Sequence, residues 1–389
     1  MTEPRKIVLI LGNGFDLDLG LKTSYKDFWE SDFCPKDYPA PLIHHLNQRW
    51  EDNLDAVKWY DMENELLKYY LGIHNPDKGA DFITEEELEF LKSFSSYGFA
   101  CGWYNDKGDL LQSLVDKGVL FYLHDPLPRM WESHKEDCLK SPIWRDRKAL
   151  QLIKDGLCKY LSALQLPRNA SATIAFQVLA FLDEEAGKGS LVNVYTFNYT
   201  RVQLNGKAPD YAQVHYLHGK CDDGKVIIGT RDDKNLNENY DFLQKSFDPA
   251  FNPPAIVEDL KEADEVVIFG HSIGENDRQY FKAFFKQQTD YSHPNRKDIT
   301  IFTLNNHSEV QIKRALEMRT DWNLSTLYGL NNIKIIKTGG IEDDQQLLYD
   351  FLVKHGKEDF RTREFMGKLL QNKSENRFLT LRRIANSEL

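Results

Sequence analysis

A doubly wound parallel α/β sheet, with a large helical insertion after its first strand, is the fold class that this sequence predicts. Three observations lead to it. Short β-branched runs recur along the chain, helical periodicities separate the later runs, and between about residues 41 and 185 only helical patterns remain. Continuous short apolar runs are what strands buried on both faces require. Their alternation with helices calls for right-handed crossovers between parallel strands.

The first strand is read at Ile7 to Leu11, where an apolar run meets Gly12-Asn13-Gly14. It lacks the small-residue cleavage pattern of a signal peptide and is expected to be buried. Amphipathic patterns follow at Trp59 to Tyr70, Glu85 to Phe94, Asp109 to Phe121 and Ile143 to Leu164, with a bend at Asp125-Pro126-Leu127-Pro128-Arg129-Met130-Trp131. Strands are then read at Leu191 to Thr196, Val214 to Leu217, Val226 to Ile228, Glu265 to Phe269, Ile299 to Leu304 and Ile333 to Ile336, and helices at Asn276 to Gln287 and Ser308 to Arg319. The expected organisation is an α/β core over 1–40 and 186–356, a helical cap over 41–185 and a tail over 357–389. The cap is expected over the crevice at the strand ends, where open α/β sheets hold ligands. Within the tail, Arg361 to Arg383 carries seven Lys/Arg against two Glu. It is read as a solvated helical or frayed terminus, with a partner contact as the alternative.

Composition narrows the function. With 389 residues, 41% of them hydrophobic, the chain can bury a sizeable core. Its net charge of −11, from 49 Lys/Arg and 60 Asp/Glu, disfavours nucleic acid, whose phosphates need clustered cations. The five cysteines are scattered and contain no C-x-x-C pair, so neither a disulfide framework nor zinc is expected and a reducing cytoplasm fits. No apolar run approaches the roughly 20 residues of a membrane span.

Six segments could carry chemistry. Gly12-Asn13-Gly14-Phe15-Asp16 follows the first strand and precedes a helix. Glycines there let main-chain amides approach a phosphate, or simply make a tight turn; the spacing fails the dinucleotide fingerprint, because its third glycine would fall at Leu17. Asn198 ends the strand Leu191 to Thr196 in Thr196-Phe197-Asn198-Tyr199-Thr200 and can hold a sugar or a water, or close its own turn. His218, followed by Gly219, leaves the next strand and could act as a general base, or be a satisfied core imidazole. Gly270-His271-Ser272-Ile273-Gly274 matches the G-x-S-x-G nucleophile elbow, with Asp343 or Asp344 and His355 in the order a hydrolase would need. It could equally be a phosphate- or ribose-contacting turn that leads to Asp277. Asn305 ends another strand. Glu63, in Trp59-Tyr60-Asp61-Met62-Glu63, is either a surface charge or a carboxylate that reaches a reacting sugar from the cap.

In order and placement these segments resemble the Sir2 superfamily. Gly12, Gly14, Gly20 and Leu21 look like its first phosphate loop, Asn198 like its strand-end asparagine, His218-Gly219 like its catalytic pair, Gly270 with Ser272 like its later G-x-S turn, and Asn305 like its adenosine-side asparagine. The four-cysteine zinc module of sirtuin deacetylases has no counterpart, since only Cys221 lies in this region. A closer resemblance is to the AbiH family of phage abortive-infection proteins, carried by Gly12 to Leu17, Gly20 to Phe28, Trp59 to Glu63, T-F-N-Y-T, H-G and G-H-S-I-G-x-x-D.

The resemblance implies a Sir2-like fold and a role in antiviral defence. It also implies NAD as substrate, with no retained cofactor. Asn198, His218, Asp277 and Glu63 would be catalytic; Gly12, Asn13, Gly14, Phe15, Asp16, Tyr25, Gly270, Ser272 and Asn305 would bind the dinucleotide. A homo-oligomer and a phage-derived trigger or partner defence protein are expected. The alternatives are a non-catalytic nucleotide-binding sensor and a serine hydrolase.

Overall fold

The computed structural model describes residues 3–52, 61–72, 113, 134, 137, 140–232, 238–292, 296–339, 341–356, 362–367 and 369. Trp59, the patterns Glu85 to Phe94 and Asp109 to Phe121 apart from Ser113, the bend at Asp125 to Trp131 and most of the tail lie outside them. The principal elements, in chain order, are β1 (Lys6–Leu11), α1 (Asn13–Asp18), α2 (Tyr25–Glu30), α3 (Pro41–Asp52), α4 (Met62–Gly72), α5 (Pro142–Ala163), α6 (Ile174–Gly187), β2 (Leu191–Thr196) and β3 (Gln213–Tyr216). There follow α7 (Ile256–Glu262), β4 (Glu265–Phe269), α8 (Arg278–Gln287), β5 (Asp298–Thr303), α9 (Asn306–Arg319), α10 (Leu324–Leu330), β6 (Asn332–Lys337) and α11 (Ile341–Gly356). Among the described residues no helix is long and apolar enough to cross a membrane.

The chain forms two compact units. The first comprises Met1–Thr23, Leu164–Asp222 and Asn252–Leu389. Its six strands form one parallel sheet in the order β3-β2-β1-β4-β5-β6. Alternate residues of each strand face opposite ways. Ile7, Leu9, Leu11, Val192 and Val194 pack with α6 and α11 on one face, while Val8, Ile10, Val266, Ile268, Ile299 and Ile301 pack with α7, α8, α9 and α10 on the other. The parallel α/β expectation is therefore met, with helices on both faces. The Val226 to Ile228 run is the exception, for it enters no strand of this sheet: Val226 ends a two-residue strand, Lys225–Val226, outside it, and Ile227 and Ile228 lie in no strand. A short buried apolar run looks the same in a strand and in an irregular segment.

That run belongs to the second unit, Ser24–Ala163 with Asp223–Phe251. Its helices α2 to α5 begin and join by identifiable devices. Ser24 and Asp27 form a reciprocal capping box at the start of α2. The buried Asp146 of α5 accepts from the Leu42 amide at 2.8 Å and from the Tyr69 hydroxyl at 2.6 Å, tying α5 to α3 and α4. Burial pushes the Asp146 carboxyl up to about 7. In the returning segment, Thr230 donates from its amide to Leu243 O at 2.6 Å and Lys245 donates back to Thr230 O at 3.0 Å.

Candidate active site

Register decides which residues share an edge of the sheet. Leu11 lies opposite both Thr196 and Phe269, Thr196 opposite Tyr216, and Phe269 opposite Phe302. The next residues therefore also line up, and the amides of Gly12, Phe197, Leu217 and Gly270 continue the ladder to Phe269 O, Leu11 O, Thr196 O and Phe302 O at 2.9 to 3.0 Å. Strand order reverses between β1 and β4, and that point of an open sheet is where a crevice forms. The loops carrying Gly12, Asn198, His218 and Gly270 all leave this edge.

Gly12 is the N-cap of α1, and the first turn of that helix touches the loop that carries Gly270. A Cβ on Gly270, whose φ is +65°, would lie 2.4 Å from Gly14 C and Phe15 N, and one on Gly14 would lie 2.6 Å from Gly270 Cα. The close approach that these glycines permit is thus between backbones. Gly12, Gly14 and Phe15 donate their amides to Phe269 O, Gly270 O and Gly12 O, each at 2.9 Å. The Phe15 ring is buried edge-on to Phe269, with centroids 5.6 Å apart. The amide supply expected for a phosphate is therefore used largely inside the protein, while Asn13 accepts from Thr23 Oγ1 at 2.6 Å.

Asn198 ties the β2 end to this loop. It is buried, receives support from Thr196 Oγ1 at its own amide (3.0 Å), and donates Nδ2 to Gly12 O at 3.0 Å. Asp16 lies in the same network and accepts from Thr200 Oγ1 at 2.5 Å. Burial pushes its carboxyl up to about 7, against the hydrogen bonds from Thr200 and Asn198 that favour the charged form.

The most concentrated chemistry joins β3 to the loop after β4. His218 Nε2 stands 3.3 Å from Asp277 Oδ1, and His271 Nε2 stands 3.4 Å from Asp277 Oδ2. Both imidazoles are buried, and Phe197 packs against each, with centroids 5.3 Å from His218 and 4.2 Å from His271. One carboxylate thus faces two imidazoles beside an aromatic wall. His215, on β3 itself, is half-buried and stacks on Tyr195.

The hydrolase arrangement does not assemble. His355 Nε2 lies 3.2 Å from Glu265, the first residue of β4, whereas exposed Ser272 follows the opposite end of that strand. Asp344 is occupied in accepting from the Lys337 amide at 2.7 Å, and the Asp343 side chain lies outside the described residues. The left-handed backbone that a nucleophile elbow strains is found at Ile273, whose φ is 52°, and not at the serine.

Of the remaining candidates, Asn305 caps α9 by accepting from the Ser308 amide at 3.0 Å, which commits its oxygen. Glu63 and Tyr25 lie in the second unit. There Glu63 pairs with Lys245 at 2.9 Å, and the Tyr25 hydroxyl approaches it at 3.5 Å. Sequence reading missed Lys245, Thr200, His271 and Arg319. His271 had a signal, since it lies inside the G-H-S-I-G motif; Arg319 had none, because an arginine closing a helix is ordinarily solvated. No group of three or more His, Cys, Asp and Glu side chains among the described residues is arranged to hold a metal.

No curated protein and no solved structure matches this chain significantly. The family model for bacteriophage abortive infection AbiH matches residues 8–294. That stretch spans most of the chain and contains the strand-end Asn198, His218 after β3 and the loop from Gly270 to Asp277, so the chain belongs to the AbiH family of bacteriophage abortive infection proteins.

Proposed function

We propose that this AbiH protein cleaves the nicotinamide–ribose bond of NAD, with water as acceptor, as its contribution to abortive infection. One observation carries the reading: Asn198, His218, Asp277 and the Gly12 loop come from four strand ends that meet around the reversal of strand order. NAD and water would yield nicotinamide, ADP-ribose and a proton. As the C–N bond breaks, its electron pair leaves with nicotinamide and positive charge develops on the ribose. A carboxylate already oriented against that charge lowers the barrier.

Asp277 supplies the carboxylate in this proposal, Asn198 holds the ribose and the attacking water, and His218 takes the water's proton. Glu63, which has a cationic partner in Lys245, has less charge to offer. Gly12 and the first residues of α1, Asn13, Gly14 and Phe15, border the diphosphate, Asp16 borders the ribose, and Gly270, Ser272 and the side-chain nitrogen of Asn305, whose oxygen caps α9, bind the adenosine half. The Sir2-like character rests on this residue pattern. Activity awaiting a phage-derived trigger or partner, in a homo-oligomer, would spare the uninfected cell.

Nicotinamide release from NAD by purified protein tests the reaction. His218→Ala and Asp277→Asn should each lower the rate by about 100-fold or more, and equal release by wild type and both variants overturns it. Binding without turnover is a second reading, favoured by the burial of both imidazoles, at 4% and 6% exposure, which limits access of a reacting water. Saturable ADP-ribose binding with no nicotinamide release, in the presence of phage lysate as well, would select it.

A further inference from the structure

The loop after β4 contains a strained residue whose strain has a visible use. Ile273 is β-branched, buried and left-handed at φ 52°, a conformation that such residues rarely adopt without compensation. Both of its peptide groups are held. Its N–H donates to His271 Nδ1 at 2.9 Å, and its carbonyl accepts from Arg319 Nη2 at 3.0 Å. Arg319 is itself buried, and its Nη1 donates to Glu275 at 2.9 Å.

An imidazole nitrogen that accepts a hydrogen bond carries no proton, so the His271 ring is neutral with its proton on Nε2. That nitrogen is the one 3.4 Å from Asp277 Oδ2, while Oδ1 of the same carboxylate is 3.3 Å from His218 Nε2. A phenylalanine could fill the space against Phe197 and Phe281, whose centroids lie 4.2 and 5.1 Å from the His271 ring, but it could make neither polar contact. We infer that His271 is a positioning residue: the Ile273 turn, clamped by Arg319, fixes its tautomer, and the fixed Nε2–H holds the Asp277 carboxylate against His218. This deepens the proposed reaction and rests on it for the role of His218, whereas the positioning itself can be read without substrate.

Nitrogen-15 NMR of the full chain labelled at histidine, near pH 8 where an ordinary imidazole is neutral, reads the tautomers directly. Wild-type His271 should be protonated on Nε2 alone. His271→Asn keeps an acceptor at the Nδ1 position for the Ile273 amide but loses the group facing Asp277, so the His218 nitrogens should shift toward a mixture of tautomers. His271→Gln, which keeps a donor at the Nε2 position, should leave the His218 signals close to wild type. A His271 proton on Nδ1 in the wild-type protein, or unchanged His218 signals in His271→Asn, overturns the inference. The wild-type arm decides even if a variant fails to fold, and failure of NAD cleavage would leave both arms interpretable.

Discussion

Asp16 sits in an environment far from what a hydrophilic motif implies. Its carboxyl is buried beside Asn198 and Thr200 and titrates near 7, so at neutral pH an appreciable part of it is protonated. The consequence for stability has a definite sign. The folded chain holds this proton more tightly than the unfolded chain, where an aspartate releases it near 4. The stabilisation is therefore fully present below about pH 4 and is lost as pH rises through 7, at about 1.4 kcal/mol for each pH unit between the two titration points. Asp16→Asn removes that dependence. Thermal melts at pH 5 and pH 8 should show wild type losing more stability than the variant, by on the order of a few kcal/mol; parallel losses would refute the assignment. Asp146, whose carboxyl also titrates near 7 in the second unit, is common to both proteins and cancels. At this scale the sequence revealed residue types but not charge states. Asp16 and Asp146 are ordinary acidic letters until burial sets their proton affinity.

Turns between elements show the same division. The Gly12-Asn13-Gly14 segment is legible as a place where backbones come close, yet the spacing alone does not reveal what approaches. The partner is the Gly270 turn. Gly270→Ala would drive a Cβ to 2.4 Å from Gly14 C in a backbone with φ +65°, so denaturant unfolding should show a loss of about 3 kcal/mol or more. Gly329→Ala is the matched control. It lies in α10 with nothing within 4 Å of its added Cβ, and should stabilise by up to about 1 kcal/mol. Similar losses in the two would mean that the loops do not touch as described. Asn305 was expected on the adenosine side, and the cap it forms with the Ser308 amide accounts for its oxygen. Ile273 and Arg319 were illegible, because a left-handed isoleucine and a buried arginine are imposed by tertiary contacts that have no local signature.

For the whole molecule, the parallel sheet was legible because strands such as β1 and β4 are buried on both faces and so carry short apolar runs, Ile7 to Leu11 and Val266 to Phe269. Parallel strands in register end on one edge, which is why motifs separated by up to 265 residues, from Gly12 to Asp277, gather there. The segment Asp223–Phe251 was less legible. It lies between β3 and β4 in sequence but packs in the helical unit, through contacts such as Lys245 with Glu63 that no periodicity announces. A crystal structure of His218→Ala soaked with NAD tests the central claim most directly. The account predicts the dinucleotide across the β1 and β4 strand ends, with the nicotinamide ribose within hydrogen-bonding reach of Asn198 and its C–N bond facing Asp277. Density at another surface, or a nucleotide whose ribose contacts neither residue, would contradict it.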